Sequence, residues 1–345
     1  MDNKPAFSQF RAKAFARTDL ASKLPLAAPY AMFVEFTNRC NFRCTFCPES
    51  LDDYSDKVGG THVMSEAVFH RLCNEILALG RLRVLRFHML GEPLLHKRAP
   101  EMIAHAVRLN VADRTELTTN GSAITDKVAD ALVKSGLDYI RFSIYAMNPE
   151  RHKRIIGTAI TPEKVRQGVE ALRRARERNG GVGPFIYAKM INPFDPQEEA
   201  AFRETYTGLA DEVMLEEPMN WNDESGVDFI SASYEKPVDR EPLFPMRKEV
   251  CPLPFYTLVV HSDGAVGICC VDWAKQTIVG NLTKESLTDV WRGEKLRAFQ
   301  TMHLERRANE NLACKGCTYP HTIPDNIDVL RGPEDLWPRK VSTVV

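Results

Sequence analysis

The chain has 345 residues, 44% of them hydrophobic and 26% charged, with Lys+Arg 45 against Asp+Glu 46. That balance belongs to an ordinary globular chain of one or two domains, and it argues against binding nucleic acid or a membrane surface by bulk charge. No apolar run reaches the ~18 residues of a membrane span, and "MDNKPAFSQFRAKAFARTDLASKLP" lacks the apolar centre of a signal peptide. The expectation is a cytoplasmic protein whose nine cysteines serve metal binding or catalysis rather than disulfides.

Residues 1–28 are polar and punctuated by proline, and read as a tail or short surface helix. From residue 31 a regular alternation begins. "AMFVEFT" (31–37) reads as a strand. "SEAVFHRLCNEILALG" (65–80) reads as a helix capped by Ser65, with Phe69, Leu72, Cys73, Ile76 and Leu77 on one face and Gly80 as its stop. Strands follow at 82–90, 115–120 and 138–146, with helices at 100–109 and 126–136. Thr161 and Pro162 open a helix over 161–181. The last strands fall at 184–192 and 211–218, with a helix near 197–209 between them. Six successive βα units predict a parallel sheet with helices outside, an α/β open TIM-like partial (β/α)6 barrel over 29–225.

The strands are two-faced. Leu85 and Phe87, then Ile140, Phe142 and Ile144, then Ile186, Ala188 and Met190 form an apolar face. The other face carries Glu35, Thr37, Arg86, His88, Glu116, Thr118, Arg141, Ser143, Tyr145, Tyr187, Lys189 and Glu216. A parallel sheet covered on both faces is apolar on both. Either these charges are paired one by one in a core, or the inner face is built to hold something polar. "NWNDESGVDFISASYEKPVDREP" (220–242) is loop-rich and marks a boundary. A small second domain is expected over 243–325 and a tail over 326–345.

Cys40-x3-Cys44-x2-Cys47 puts three thiols on the loop after the first strand. Structural zinc takes four ligands and would need one from elsewhere. Three soft ligands with one open position suit a [4Fe–4S] cluster, and Phe46 would shield it from water.

This stretch resembles the radical S-adenosylmethionine (SAM) superfamily. The resemblance implies that SAM completes the cluster and is split to a radical that removes a substrate hydrogen atom. "LGEPLL" is similar to the family's Gly-Glu-Pro motif, which implies Gly91 and Glu92 near the methionine amino group. By the same resemblance "TTNG" brings Asn120 to the ribose or carboxylate, "RFSIYA" brings Ser143 to the ribose side, and "ERHKRIIG" offers Arg154 to the carboxylate.

Cys251, Cys269, Cys314 and Cys317 make a second group. A zinc ribbon could use the same four. Their spacing resembles the SPASM/twitch extension of radical SAM enzymes in its shorter, twitch form, which implies one auxiliary [4Fe–4S] cluster besides the SAM-binding one. Cys73 lies on a buried helical stripe and reads as a core residue. Cys270 is open between an alternative ligand, an inert core thiol and a hydrogen-atom donor.

The resemblance implies a radical SAM oxidoreductase supplied by an external low-potential electron donor of flavodoxin or ferredoxin type. The favoured expectation is oxidation of a secondary alcohol on a sugar or aminocyclitol, the auxiliary cluster taking an electron. Lys189, Glu216, His88 and Arg141 are candidates for the base, a lysine needing a lowered pKa. The alternatives are a peptide-modifying enzyme, and a small-molecule epimerase in which Cys270 returns a hydrogen atom. The 28 residues before the first strand are too few for a winged-helix peptide-recognition module.

Overall fold

The structure, a computed structural model, describes residues 19–216 and 248–337. The loop-rich stretch at 220–242, the boundary near 225–243 and the final residues 338–345 lie outside these. Strands β1 (Ala31–Val34), β2 (Leu82–Phe87), β3 (Ala112–Thr119), β4 (Tyr139–Ile144), β5 (Phe185–Ile191) and β6 (Glu212–Glu216) pair in parallel, each with its sequence neighbour. Helices α1 (Glu66–Leu79), α2 (Ala99–Arg108), α3 (Asp126–Lys134), α4 (Pro149–Ile156), α5 (Pro162–Arg178) and α6 (Pro196–Tyr206) connect them.

The helix starts follow from their caps. Ser65 accepts from the Val68 N–H, Thr125 from Val128, Asn148 from Arg151 and Thr161 from Lys164. Each satisfies one of the amides that a first turn leaves without a helical partner. Phe69, Leu72, Cys73 and Ile76 are buried, as the stripe on α1 predicts. Leu77 is exposed instead: it follows Ile76 by about 100° around the helix and falls off the stripe's edge.

The two faces of the sheet part as the alternation predicts. Leu85, Phe87, Ile140, Phe142, Ile144, Ile186 and Met190 are buried in the main apolar cluster. Each such side chain contributes about 1.5–3 kcal/mol when fully buried. Opposite them, Arg86, Arg141, Lys189 and Glu216 remain half-buried on the concave side.

The C-terminal part extends the same sheet. Strand β7 (Thr257–Val260) runs parallel to β1 in register Met32↔Leu258, and β8 (Ala265–Gly267) and β9 (Ile278–Asn281) follow antiparallel. The full order is β6-β5-β4-β3-β2-β1-β7-β8-β9. Helices α7 (Leu287–Arg292) and α8 (Glu294–Leu304) complete it, and α7 packs on α1.

Both expected tails need correction where they are described. Leu20 is buried with Val250, Phe255, Leu304, Ile327 and Leu336 in a second apolar cluster. The Trp291 indole N–H also donates to the Leu26 carbonyl at 3.1 Å. Leu20, Ala21 and Leu24 therefore pack with Ile327, Leu330, Leu336 and Trp337 in the C-terminal unit, and Leu26 and Ala28 pack against the main cluster as well.

Glu35 also departs from expectation. It does not face the concave side; it closes the seam between β1 and the β7–β8 turn. Its Oε1 accepts from the Ser262 N–H (3.1 Å) and hydroxyl (2.7 Å), and its Oε2 lies 3.3 Å from His261 Nδ1. Burial acts to raise its pKa, but His261 and the Ser262 hydrogen bonds outweigh this and hold it below the ordinary value. A carboxyl lowered on folding contributes stability above its unfolded pKa, and that contribution is lost as pH falls through the folded value. Glu35→Ala is expected to cost about 3 kcal/mol in chemical denaturation at neutral pH. Glu35→Gln is expected to flatten the acid limb of the stability profile.

Candidate active site and cluster sites

The three-cysteine loop leaves the C-terminal end of β1 and is held from two sides. The end of α4 grips it: the Arg43 N–H donates to the Ile156 carbonyl (2.7 Å) and Thr45 N–H to Ile155 (2.9 Å). The turn after β2 grips it through Glu49, whose Oε1 accepts from the Gly91 N–H at 2.6 Å. Gly91 has φ +74°, and a Cβ there would stand 2.2 Å from the Thr37 carbonyl oxygen. Only glycine fits both the conformation and the close approach.

Cys44 is buried and Cys40 and Cys47 half-buried. Burial first, then neighbouring charges, push all three thiols up, Cys40 to about 12. Such thiols become thiolates when a cationic metal centre joins them. Three thiols and no carboxylate as donors, under the rings of Phe46 and Tyr145 at 5.2 Å centroid separation, fit an iron–sulfur cluster. Tyr145 adjoins Cys44, whose thiol it pulls down against the push of burial.

Glu92 is tied to the protein on both sides. Both carboxylate oxygens are taken: Oε1 by the Thr119 hydroxyl (2.6 Å) and Leu94 N–H (3.1 Å), Oε2 by the Asn120 N–H (2.6 Å). It splints the end of β3 to the turn after β2. Asn120 is locked too, donating to Asn41 Oδ1 at 2.9 Å and accepting from the Ser122 hydroxyl at 2.7 Å. Its Nδ2 stands 3.9 Å from Cys40 Sγ, so the locked amide edges the cluster loop. Ser143 is buried on β4, and Arg154 is exposed in the last turn of α4.

Of the four candidate bases, Lys189 and Glu216 are in contact, Nζ to Oε2 at 2.7 Å, and the Tyr187 hydroxyl donates to Glu216 Oε1 at 3.2 Å. Burial acts to raise the Glu216 pKa, yet Lys189 and Arg141 together hold it down at about 2. Desolvation lowers Lys189, Arg141 adding to this and Glu216 opposing it. His88 falls to about 3 through desolvation and then the charges of Arg141 and Arg86. Arg141 is raised: burial opposes its charge, and Glu216, Tyr139 and Glu116 more than offset this.

In the C-terminal part Cys251, Cys269, Cys314 and Cys317 line one cavity of about 1040 Å³. Burial pushes these thiols up as well. The four-thiol lining fits a second cluster. His303 Nε2 stands 3.7 Å from Cys314 Sγ. Cys270 is not among those lining thiols, but it donates at 3.5 Å to the hydroxyl of Tyr319, which lines the same cavity.

Glu49, Thr119, Tyr145, His303 and Tyr319 were not singled out by sequence as site residues. Tyr145 alone carried a signal, its place on the polar strand face.

Comparison with known proteins agrees with this layout. Residues 34–187 match the Radical SAM superfamily, and residues 251–318 match the SPASM iron–sulfur cluster-binding domain. The S-adenosyl-L-methionine-dependent 2-deoxy-scyllo-inosamine dehydrogenase of Niallia circulans is 22% identical over 284 residues, 82% of this chain and 90% of that protein. The PqqA peptide cyclase of Granulibacter bethesdensis is 29% identical over 148 residues, 43% of this chain and 37% of that protein's length. Among solved structures, BtrN in complex with AdoMet and 2-DOIA aligns with TM-score 0.53 at 18% identity, covering 84% of this chain and 92% of that one. Streptococcus suis SuiB bound to S-adenosylmethionine aligns with TM-score 0.58 at 14% identity, covering 85% and 72%. Among the described residues no helix is long and apolar enough to cross a membrane.

Gly91→Ala is expected to destabilise the protein by about 2 kcal/mol through strain and the clash with Thr37. It should also lower iron incorporation during anaerobic reconstitution, read by iron and sulfide analysis.

Proposed function

Because this chain is a radical SAM enzyme with a SPASM iron–sulfur domain, we propose that it oxidises a secondary alcohol of a sugar, aminocyclitol or related metabolite to a ketone. The observation that carries this is the span of its likeness. Similarity to the dehydrogenase covers 82% of this chain and 90% of that protein. Similarity to the peptide cyclase stops at 43% of this chain. The charged concave face of the sheet supports it, since a polyol needs polar contacts on most of its surface.

Under this reading Cys40, Cys44 and Cys47 hold the SAM-binding [4Fe–4S] cluster, and Cys251, Cys269, Cys314 and Cys317 hold the auxiliary one. When bound, SAM and the clusters supply one-electron chemistry: a radical that takes the carbinol hydrogen atom, and an acceptor for the electron the substrate then gives up. An external flavodoxin- or ferredoxin-type donor supplies the reducing electron.

The chain's own residues position and exclude. The backbone at Gly91 receives the methionine amino group. Asn120 and Ser143 face the ribose and Arg154 the carboxylate. Glu92 and Glu49 act through the turn they brace, and Phe46 and Tyr145 keep water from the cysteine loop.

Oxidation of an alcohol to a ketone also releases the hydroxyl proton. Lys189 Nζ accepts it. Arg141 stays charged, and Glu216 and His88 hold protons too weakly at about 2 and about 3. Glu216 orients the Lys189 amine through their 2.7 Å contact.

One observation favours a second reading. The peptide cyclase is the more similar over the residues it does match, at 29% against 22% identity. A peptide substrate would then occupy the concave face.

Cys314→Ala is expected to keep 5′-deoxyadenosine release but lose oxidised product, followed by mass spectrometry as loss of two substrate hydrogens. Cys40→Ala is expected to lose both. The rate of ketone formation should rise with pH through the lowered Lys189 pKa, because only the neutral amine accepts a proton. Lys189→Met should flatten that limb and slow the reaction by about 10²-fold or more. Cys270→Ser should leave ketone formation intact; its loss, with solvent deuterium found at carbon in the wild-type product, would instead identify an epimerase.

A further inference from the structure

The charges on the concave face do not cancel locally. Arg86, Arg114, Arg141 and Lys189 project there from β2 to β5, together with Glu116, Glu212 and Glu216. Glu116 is occupied by Arg86 at 2.9 Å and Arg114 at 2.6 Å. Glu216 is occupied by Lys189 at 2.7 Å. Glu212 opens β6 in register with Tyr187, and so lies in the same row as Arg141 with β5 between them. Arg141 shares these carboxylates at a distance: Glu216 and Glu116 act on it through space while each is held closer by another cation. Among the described residues its Nε has no hydrogen-bond partner, and its guanidinium lies 5.6 Å from the Tyr187 ring centroid.

The same surplus is felt at His88. Its charged neighbours are Arg141, Arg86 and Lys189 against Glu116, and its buried Nδ1 also has no partner among the described residues. A guanidinium and an imidazole with unused nitrogens, in a half-buried space of positive potential, make a receptor for an anion. An ammonium group would meet the opposite: cations on three sides and carboxylates already taken.

We propose that Arg141 and His88 form an anion-binding subsite inside the barrel, and that the substrate is a polyol bearing a carboxylate or phosphate rather than an amine. The subsite rests on the small-metabolite reading above and narrows it. Arg141 supplies the charge and planar donor fork, His88 a ring N–H, and Arg86 adds field while remaining paired to Glu116. Lys189 stays with Glu216 and available to the hydroxyl.

The test uses the anaerobically reconstituted holoenzyme with SAM. Glucose, glucosamine, glucuronate and glucose 6-phosphate are titrated by calorimetry into wild type, Arg141→Gln and Arg141→Lys. The expected result is at least tenfold tighter binding of glucuronate or glucose 6-phosphate than of glucose or glucosamine. The two anions separate carboxylate from phosphate recognition. Arg141→Gln should erase the preference, Arg141→Lys should keep part of it, and SAM affinity should be unchanged in both.

Equal binding of all four sugars, or binding of none, overturns the subsite. So does an intact preference in Arg141→Gln, or a loss of SAM affinity in place of the sugar preference. If Arg141→Gln does not fold, the wild-type preference and Arg141→Lys decide. Failure of the alcohol-oxidation reading would show separately, as peptide-dependent 5′-deoxyadenosine release with the anion preference still present.

Discussion

Strand β1 hydrogen-bonds along both edges, to β2 on one side and β7 on the other, and the three-cysteine loop and the β7–β8 hairpin that precedes Cys269 both hang from that four-residue seam. The three-cysteine loop leaves its C-terminal end, and the β7–β8 hairpin that leads to Cys269 runs beside it. Because Val34 pairs with Val260 in parallel, the three-cysteine loop and the β7–β8 turn emerge at one end of the sheet, while antiparallel β8 runs back and delivers Cys269 toward the other. Glu35, the next residue, bolts that arrangement in place through Ser262 and His261. The spatial relation between an open and a closed thiol set is thus set by backbone pairing within one sheet. A flexible linker between two domains would not hold it. Two-centre redox chemistry needs such fixed placement.

A second constraint is electrostatic. Carboxylates on the concave face are kept ionised by neighbouring cations, Glu116 and Glu216 both at about 2 against the pull of burial. Carboxylates near the cysteine loop sit in the opposite environment: burial pushes Glu49 up to about 7 and also raises Glu92. The loop region therefore limits negative charge where thiolates must gather. The concave face keeps an excess of positive charge where substrate is bound.

Much of this was legible in the sequence because it is periodic or local. Alternation along β4 and β5 separates Ile140, Phe142 and Ile186 from Arg141 and Lys189, and the structure parts them the same way. The caps Ser65 and Thr161 and the cysteine spacings are short-range signals. What escaped notice depends on contacts between distant residues. Glu49 meets Gly91 across 42 positions, and Glu92 meets Asn120 across 28. A Gly-Glu pair in isolation suggests a ligand contact, and only the folded turn shows the carboxylate also bonded to Thr119 and Asn120. Leu20 looked like a tail residue because its partners, Val250, Phe255 and Leu304 among them, lie hundreds of positions away. Cys270 was open among three roles. The structure pairs it with Tyr319, which lines the cavity of the other four C-terminal cysteines, so the thiol stands beside that set.

The most direct test of the central claim is to ask what triggers the enzyme. The reconstituted protein, SAM and a strong reductant are incubated anaerobically with a host-cell extract split into a small-molecule filtrate and a retained peptide and protein fraction. Stimulation of 5′-deoxyadenosine formation by the filtrate, with a matching oxidised metabolite, is the predicted result. Stimulation by the retained fraction alone would contradict it and assign the concave face to a peptide.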